Sequence, residues 1–301
     1  MSGIMRLGFV EVQVSDLPQA GAFYQQLLGL EVTHHTDDTL YCKCWDEYDH
    51  HSVILHRANG PGLVKLGWKV EGARDLDELE QKIEAYGVPV KRVSRREELA
   101  VGEAIAFTAP SGQTMMLYHE MTQVGRTVAS PDIVPPGRMG IAPPRLDHLV
   151  ISAEVPDEAV QFLTTVLGFR VSEQVLDPAG HAVASFLCRT NTPHDIAIAQ
   201  GPSGKFHHIA FALDDWHEVK RAAEMLVHHH QPVEVPPSQH GITRGYTTYF
   251  RDVAGNRLEM FAGGYITYPD FPTITWAVEH MDRGVFYFGG PNNPDKFWEW
   301  I

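Results

Sequence analysis

The sequence predicts an α+β fold made of four copies of one unit, each a strand, a helix and about three more strands. Two repeats and one interruption carry this expectation. RLGFVEVQVSDLPQAGAFYQQLLGLEV, starting at Arg6, matches RLDHLVISAEVPDEAVQFLTTVLGFRV, starting at Arg145. Further on, LVKLGWKV matches KFHHIAF, and IAFTAPSGQTMMLY matches TYFRDVAGNRLEMF. Between the halves, VGRTVASPDIVPPGRMGIAPP is rich in proline and glycine and reads as a linker.

Each long repeat opens with an alternating strand and continues as a helical stripe. The stripes are Ala20, Phe23, Tyr24, Leu27, Leu28 and Ala159, Phe162, Leu163, Val166, Leu167, the i, i+3, i+4, i+7, i+8 pattern of a buried helix face. Each stops at a glycine, Gly29 or Gly168, where a left-handed cap costs least. A β-rich stretch follows. The shorter repeats run into stripes of their own, Leu76, Leu79, Ile83, Tyr86 and Trp216, Val219, Ala223, Leu226. They end in hairpins expected to turn at Ser111-Gly112 and Ala254-Gly255. The expected division is therefore a domain over 1–122, a linker over 123–144, a second domain over 145–265 and an aromatic tail over 266–301. The tail is expected to pack on the second domain or on a neighbouring subunit.

Composition narrows the class. With 301 residues, 44% apolar and 21% charged, the chain can bury a full core. A net charge of −14 argues against nucleic acid and anionic membrane surfaces as partners. No apolar run approaches the roughly 18 residues of a membrane span, and the start lacks a signal-peptide pattern. Three cysteines, Cys42, Cys44 and Cys188, suggest a reducing, cytoplasmic setting without disulfides. Cys42 and Cys44 read as buried thiols on one strand face rather than as a metal pair.

Two copies of one scaffold invite a subtraction. His148 aligns with Phe9, His208 with Gly67, and Glu259 with Met116. A buried, unpaired carboxylate costs several kcal/mol. Two neutral imidazoles and a carboxylate around a divalent cation remove that cost, and they are the facial grouping of non-haem Fe(II) oxygenases. The competing readings are strand histidines bonded to backbone and an ion pair between Glu259 and Arg257. The coincidence of three metal-type residues at repeat-equivalent places, all in one half, favours the metal. His207 reads as a core ring or a support for the site. His228, His229 and His230 follow a helix and read as solvated.

The motifs LDH at 146–148, HDIA at 194–197, HHIAF at 207–211 and HGITRGYTTYFRDVAGNRLEMFAGG at 240–264, with YPDFPTITW beyond, resemble those of the type I extradiol ring-cleavage dioxygenases of the vicinal oxygen chelate superfamily. The resemblance extends over essentially the whole chain, because that family also carries a metal-free N-terminal half on the same fold. It implies four βαβββ modules paired into two barrel-like domains, the glyoxalase-like fold. It implies Fe(II), with Mn(II) suited to the same ligands, held by His148, His208 and Glu259. It implies His194 as acid/base and His240 and Tyr249 as hydrogen-bonding groups. The implied reaction is cleavage of catechol or an alkylcatechol by O2, beside the diol, to a 2-hydroxymuconate semialdehyde, in a homotetramer. The alternatives are a larger or charged catechol, such as a biphenyl diol or homoprotocatechuate, and a metal-dependent isomerase of the same superfamily. Read from the residues alone, His194 is an exposed strand end and His240 a loop residue. A three-residue turn centred on Ala254 puts Tyr249 opposite Glu259, on the same side of the sheet.

Overall fold

The computed structural model describes residues 3–129, 131–133 and 137–301. The first unit comprises β1 (Ile4–Val14), α1 (Leu17–Ala22), β2 (Glu31–His35), β3 (Thr39–Lys43) and β4 (Val53–Arg57). The second comprises β5 (Gly62–Val70), α2 (Ala73–Ala85), β6 (Lys91–Val93), β7 (Ala104–Thr108) and β8 (Thr114–Tyr118). In the third are β9 (Arg145–Ala153), α3 (Pro156–Thr165), β10 (Arg170–Leu176), β11 (Ala182–Cys188) and β12 (Ile196–Gln200). The fourth holds β13 (Phe206–Ala212), α4 (Trp216–His228), β14 (Val233–Gln239), β15 (Gly245–Arg251) and β16 (Arg257–Gly263). The tail adds β17 (Ile274–Ala277), α5 (Met281–Val285) and α6 (Pro294–Phe297). All four units are thus βαβββ.

Two sheets result, with the same plan. The first runs β2-β3-β4-β1-β5-β8-β7-β6 and the second β14-β15-β16-β13-β9-β12-β11-β10-β17. In every unit the first strand lies parallel to the last, and two units join through an antiparallel pair, β1 with β5 and β9 with β13. The tail strand β17 extends the second sheet, parallel to β10. Among the described residues no helix is long and apolar enough to cross a membrane.

The helical stripes are buried as their spacing requires, with Phe23, Tyr24, Phe162 and Leu163 inside the core. Gly29 and Gly168 end them at φ 79° and 73°. Two details depart from the expected pattern. α1 widens into a π turn over Phe23–Leu27, and the Leu27 and Leu28 carbonyls at its end accept from the linker amides of Ile141 and Ala142. Tyr86 lies just past α2, partly exposed, and sets its ring edge-on to Phe162 of the other half at 5.2 Å. Corresponding hairpin tips clasp the halves together. Gln113 Nε2 donates to the Ser152 and Lys205 carbonyls, while Asn256 Nδ2 donates to the Gln13 carbonyl and Asn256 Oδ1 accepts from Gly62 N–H.

Register corrects one alignment. In the first sheet Phe9 faces Gly67, which faces Met116. In the second, His148 faces Ala210, which faces Glu259. Gly67 therefore corresponds to Ala210, and the counterpart of His208 is Lys65, paired with Glu11 as His208 is with Val150.

Candidate metal centre

Three strands in the middle of the second sheet carry the polar cluster. β9 contributes His148, β13 contributes His208 and β16 contributes Glu259, all buried. Their donor atoms lie within 4.8 Å of one another. Glu259 Oε2 is 3.0 Å from His148 Nε2 and 2.9 Å from His208 Nε2. His208 Nε2 makes no hydrogen bond in spite of that approach and is buried from solvent. A buried lone pair without a partner, aimed with a second imidazole at a fully buried carboxylate, fits a divalent cation of the two-His, one-carboxylate type. Arg257, the competing partner for Glu259, instead pairs with Glu234 at 2.8 Å.

Groups around the cluster hold its members in place. Asp147 accepts from His148 Nδ1 at 2.8 Å, which leaves His148 Nε2 to face Glu259. Thr247 Oγ1 donates to Glu259 Oε1 at 2.5 Å. His207 Nδ1 lies 2.7 Å from His208 Nδ1. All three supports lie inside the quoted motifs, Asp147 in LDH, His207 in HHIAF and Thr247 in the 240–264 block, but nothing in those motifs alone assigns them this role. Carboxylates and carbonyls that orient metal-binding imidazoles commonly influence metal affinity as well.

Charge within the cluster is strongly coupled. Burial pushes the Glu259 carboxyl up, but His208 and the bond from His148 outweigh it and hold it well below the usual glutamate range. Burial alone lowers His148, yet hydrogen bonds with Asp147 and Glu259 raise it to about 9. Burial dominates at His208, which falls to about 4 despite the charge of Glu259. One imidazole therefore holds a proton against the carboxylate, and a divalent cation would displace it.

The remaining predicted residues border the same cavity. The hairpin closes through Asp252 N–H to the Asn256 carbonyl, a three-residue turn centred on Ala254, and Tyr249 faces Glu259 directly. Tyr249 O–H lies 3.0 Å from His240 Nε2, and His240 Nε2 lies 3.4 Å from Glu259 Oε1. The loop bearing His240 passes through left-handed Thr243 and Arg244 (φ 63° and 58°). Buried Glu173 fixes it by accepting from Thr243 N–H while also accepting from Tyr265 O–H and Trp276 Nε1. His194 is not the exposed strand end that the sequence suggested. It is 4% exposed, with its ring 3.9 Å from that of His148 and edge-on to Phe186 and Phe261. Burial, and then the charge on His148, hold it well below the usual histidine range, so it is neutral, and its Nδ1 has no hydrogen-bond partner.

The cavity walls are apolar: Val150, Val175, Ala184, Phe186 and Ile242 from the sheet and its loops, with Trp298 and Trp300 from the tail. Residues from β9 to β16 face this one space, so the second sheet is curled around it. Away from the cavity, His228 to His230 are exposed, and Cys42, Cys44 and Cys188 are buried and unpaired.

Residues 145–260 match the Glyoxalase/Bleomycin resistance protein/Dioxygenase superfamily, and residues 65–122 match the Catechol 2,3-dioxygenase-like N-terminal domain. A metapyrocatechase of Pseudomonas sp. (strain CF600) is 35% identical over 95% of this chain and 94% of its own length. A manganese-dependent 2,3-dihydroxybiphenyl 1,2-dioxygenase of Geobacillus genomosp. 3 is 28% identical over 97% of this chain and 96% of its own. The crystal structure of the 2,3-dioxygenase LapB from Pseudomonas sp. KL28 superposes with a TM-score of 0.89 at 37% identity, covering 93% of this chain and 99% of that one.

Proposed function

Because the chain belongs to the extradiol ring-cleavage dioxygenases of the vicinal oxygen chelate superfamily, metal-dependent enzymes that act on catechols, we propose that it is a catechol 2,3-dioxygenase whose Fe(II) is held by His148, His208 and Glu259. The observation that carries the ligand set is the unpartnered His208 Nε2 facing the buried Glu259 carboxylate beside His148. Mn(II) suits the same three donors. Residues 145–265 are the catalytic half and 1–122 its metal-free twin, joined by 123–144, with 266–301 covering the catalytic cavity.

The walls argue for catechol or an alkylcatechol. Among the described residues no lysine or arginine lines the cavity, so a substituent carboxylate would be desolvated there without a cationic side chain to pair with. An uncharged ring or alkyl group loses nothing by entering. This separates the reading from a homoprotocatechuate-type substrate.

A bound Fe(II) would acidify the two vicinal hydroxyls and hold substrate and O2 in contact, removing most of the entropic cost of their encounter. The chain's own groups do the rest. His240, with Nδ1 bonded to the Val285 carbonyl, offers its Nε2 lone pair and can accept a hydroxyl proton's hydrogen bond in place of Tyr249. Tyr249 then becomes a free donor toward a substrate oxygen. His194, neutral and lodged in apolar surroundings, can take a proton at a ring nitrogen and return it as general acid. The phenyl and indole walls exclude water from the reacting ring. The product is a 2-hydroxymuconate semialdehyde.

The same reading makes the protein a cytoplasmic homo-oligomer, a tetramer by resemblance. Exposed apolar side chains at Val128 and Ile133 support a subunit contact. A panel of catechol, methylcatechols and homoprotocatechuate, assayed in air with metal quantified, tests the substrate assignment. Catechol and methylcatechols should give the yellow ring-cleaved product at least about tenfold faster than the carboxylated ring, since an unpaired buried charge costs several kcal/mol. Equal or faster cleavage of the carboxylated ring would overturn it.

A further inference from the structure

We infer that the C-terminal tail sets the proton positions of two active-site histidines: the helix-end carbonyls of Phe297 and Val285 fix the tautomers of His207 and His240, and His207 passes the constraint on to His208. The inference rests on the reading of His208 as a metal ligand.

A carbonyl oxygen can only accept a hydrogen bond. The Phe297 carbonyl lies 2.6 Å from His207 Nε2, so that nitrogen carries the proton. His207 is buried, and its other ring nitrogen meets His208 Nδ1 at 2.7 Å. Both of its partners are uncharged, and the Arg257 guanidinium donates to its own carbonyl at 3.1 Å, so nothing supports an imidazolium there. His207 Nδ1 is therefore an acceptor, and His208 must donate from Nδ1. Its Nε2 is then a bare lone pair, directed toward Glu259. At His240 the Val285 carbonyl likewise takes the proton of Nδ1, which leaves Nε2 to meet Tyr249 O–H at 3.0 Å, with Glu259 Oε1 farther off at 3.4 Å.

Both carbonyls are available for the same reason. Val285 and Phe297 are the last residues of α5 and α6, and the final carbonyls of a helix have no amide within it to bond. The tail is fastened where the relay needs it. Buried Arg257 donates to the carbonyls of Lys296 at 2.9 Å and Glu299 at 3.1 Å, as well as to that of His207. Ile301 exchanges two backbone bonds with Phe206, at 2.9 and 3.1 Å. One side chain thus holds the acceptor and the backbone of the relaying histidine together. His148 needs no such relay, because Asp147 sets its tautomer directly. His207 is accordingly a positioning residue, and residues 296–301 belong to the metal centre although none of them touches the metal-binding atoms.

Two measurements test this. In the zinc-loaded full chain with 15N-labelled histidine, NMR should place the proton of His207 on Nε2 and that of His240 on Nδ1. A proton on the other nitrogen of His207 overturns the relay. Independently, His207→Phe should raise the dissociation constant for Zn(II) or Fe(II), measured by chelator competition, about 10–100-fold, the usual effect of losing a ligand's orienting partner. His207→Gln, whose amide oxygen can accept from His208, should recover part of the loss. Unchanged affinity in a folded His207→Phe variant contradicts the inference, and if that variant does not fold, the NMR result on the unaltered chain decides. Glu259→Gln separates the two layers of the reading. If it too binds metal normally, the ligand assignment has failed; if it loses metal while His207→Phe does not, only the relay has.

Discussion

The two halves share a strand order and a register but fill the middle of the sheet in opposite ways. In the N-terminal half, the Phe9 ring lies so close over Gly67 that a Cβ there would come within 2.1 Å of it. Met116, Ile54, Tyr118 and Met121 pack around that ring. Lys65, in the place of His208, is neutralised by Glu11 at 3.1 Å and Glu98 at 2.5 Å. In the C-terminal half the corresponding places hold His148, His208 and Glu259 around an open, apolar-walled cavity. Backbone pairing is thus indifferent to what occupies the interior. One copy closes the space with close-packed side chains and self-contained ion pairs. The other leaves room and concentrates polar groups that need a cation.

Substitutions can break this contrast in a graded series. The largest effect is expected from Glu259→Gln, which makes the catalytic half more like its twin. It should leave a folded protein with little metal and ring cleavage reduced about 1,000-fold or more, beyond the roughly 10–100-fold cost of losing a supporting partner. Near-normal metal content would count against the ligand assignment. His194→Ala should keep the metal and lose about 10²–10⁴ in turnover, the range for a general acid–base group. Unchanged turnover would remove that role. Met116→Glu is the converse experiment, placing a carboxylate in the filled half. With Lys65 already paired to Glu11 and Glu98 and the buried His51 ring held neutral by desolvation, it should cost about 3–5 kcal/mol in urea unfolding, as an uncompensated buried charge does, and recruit no second metal. Smallest is Thr247→Val, which deletes the bond to Glu259 Oε1 and should weaken metal binding about tenfold without changing the fold. An unaltered dissociation constant would show that Glu259 is oriented without Thr247.

Much of this contrast could be read from the sequence, and the misreadings have physical causes. Helical stripes and strand alternation are enough to show four units of strand, helix and further strands, and Gly29 and Gly168 mark where two of the helices end. His208 was matched to Gly67 rather than Lys65 because a two-residue slip leaves every strand side chain on the same face. Only the hydrogen-bonded register distinguishes the two. The burial of His194 was hidden because its cover comes from Phe186 and Phe261, on two other strands. Asp147, Thr247 and the linking role of His207 depend on partners brought in from distant strands and from the tail. The aromatic character of residues beyond 265 announced packing, but not that their carbonyls would meet imidazoles. Glu259 stood out because a carboxylate between Leu258 and Met260 breaks the strand's apolar run, which needs no knowledge of its partners.

The most direct test is to locate the metal in crystals of the iron-loaded protein by anomalous scattering at the iron edge. The account predicts one peak per chain, in contact with His148 Nε2, His208 Nε2 and a Glu259 oxygen, and none between Phe9, Lys65 and Met116. A chain with iron bound at other residues, or with a second peak in the N-terminal half, would contradict it.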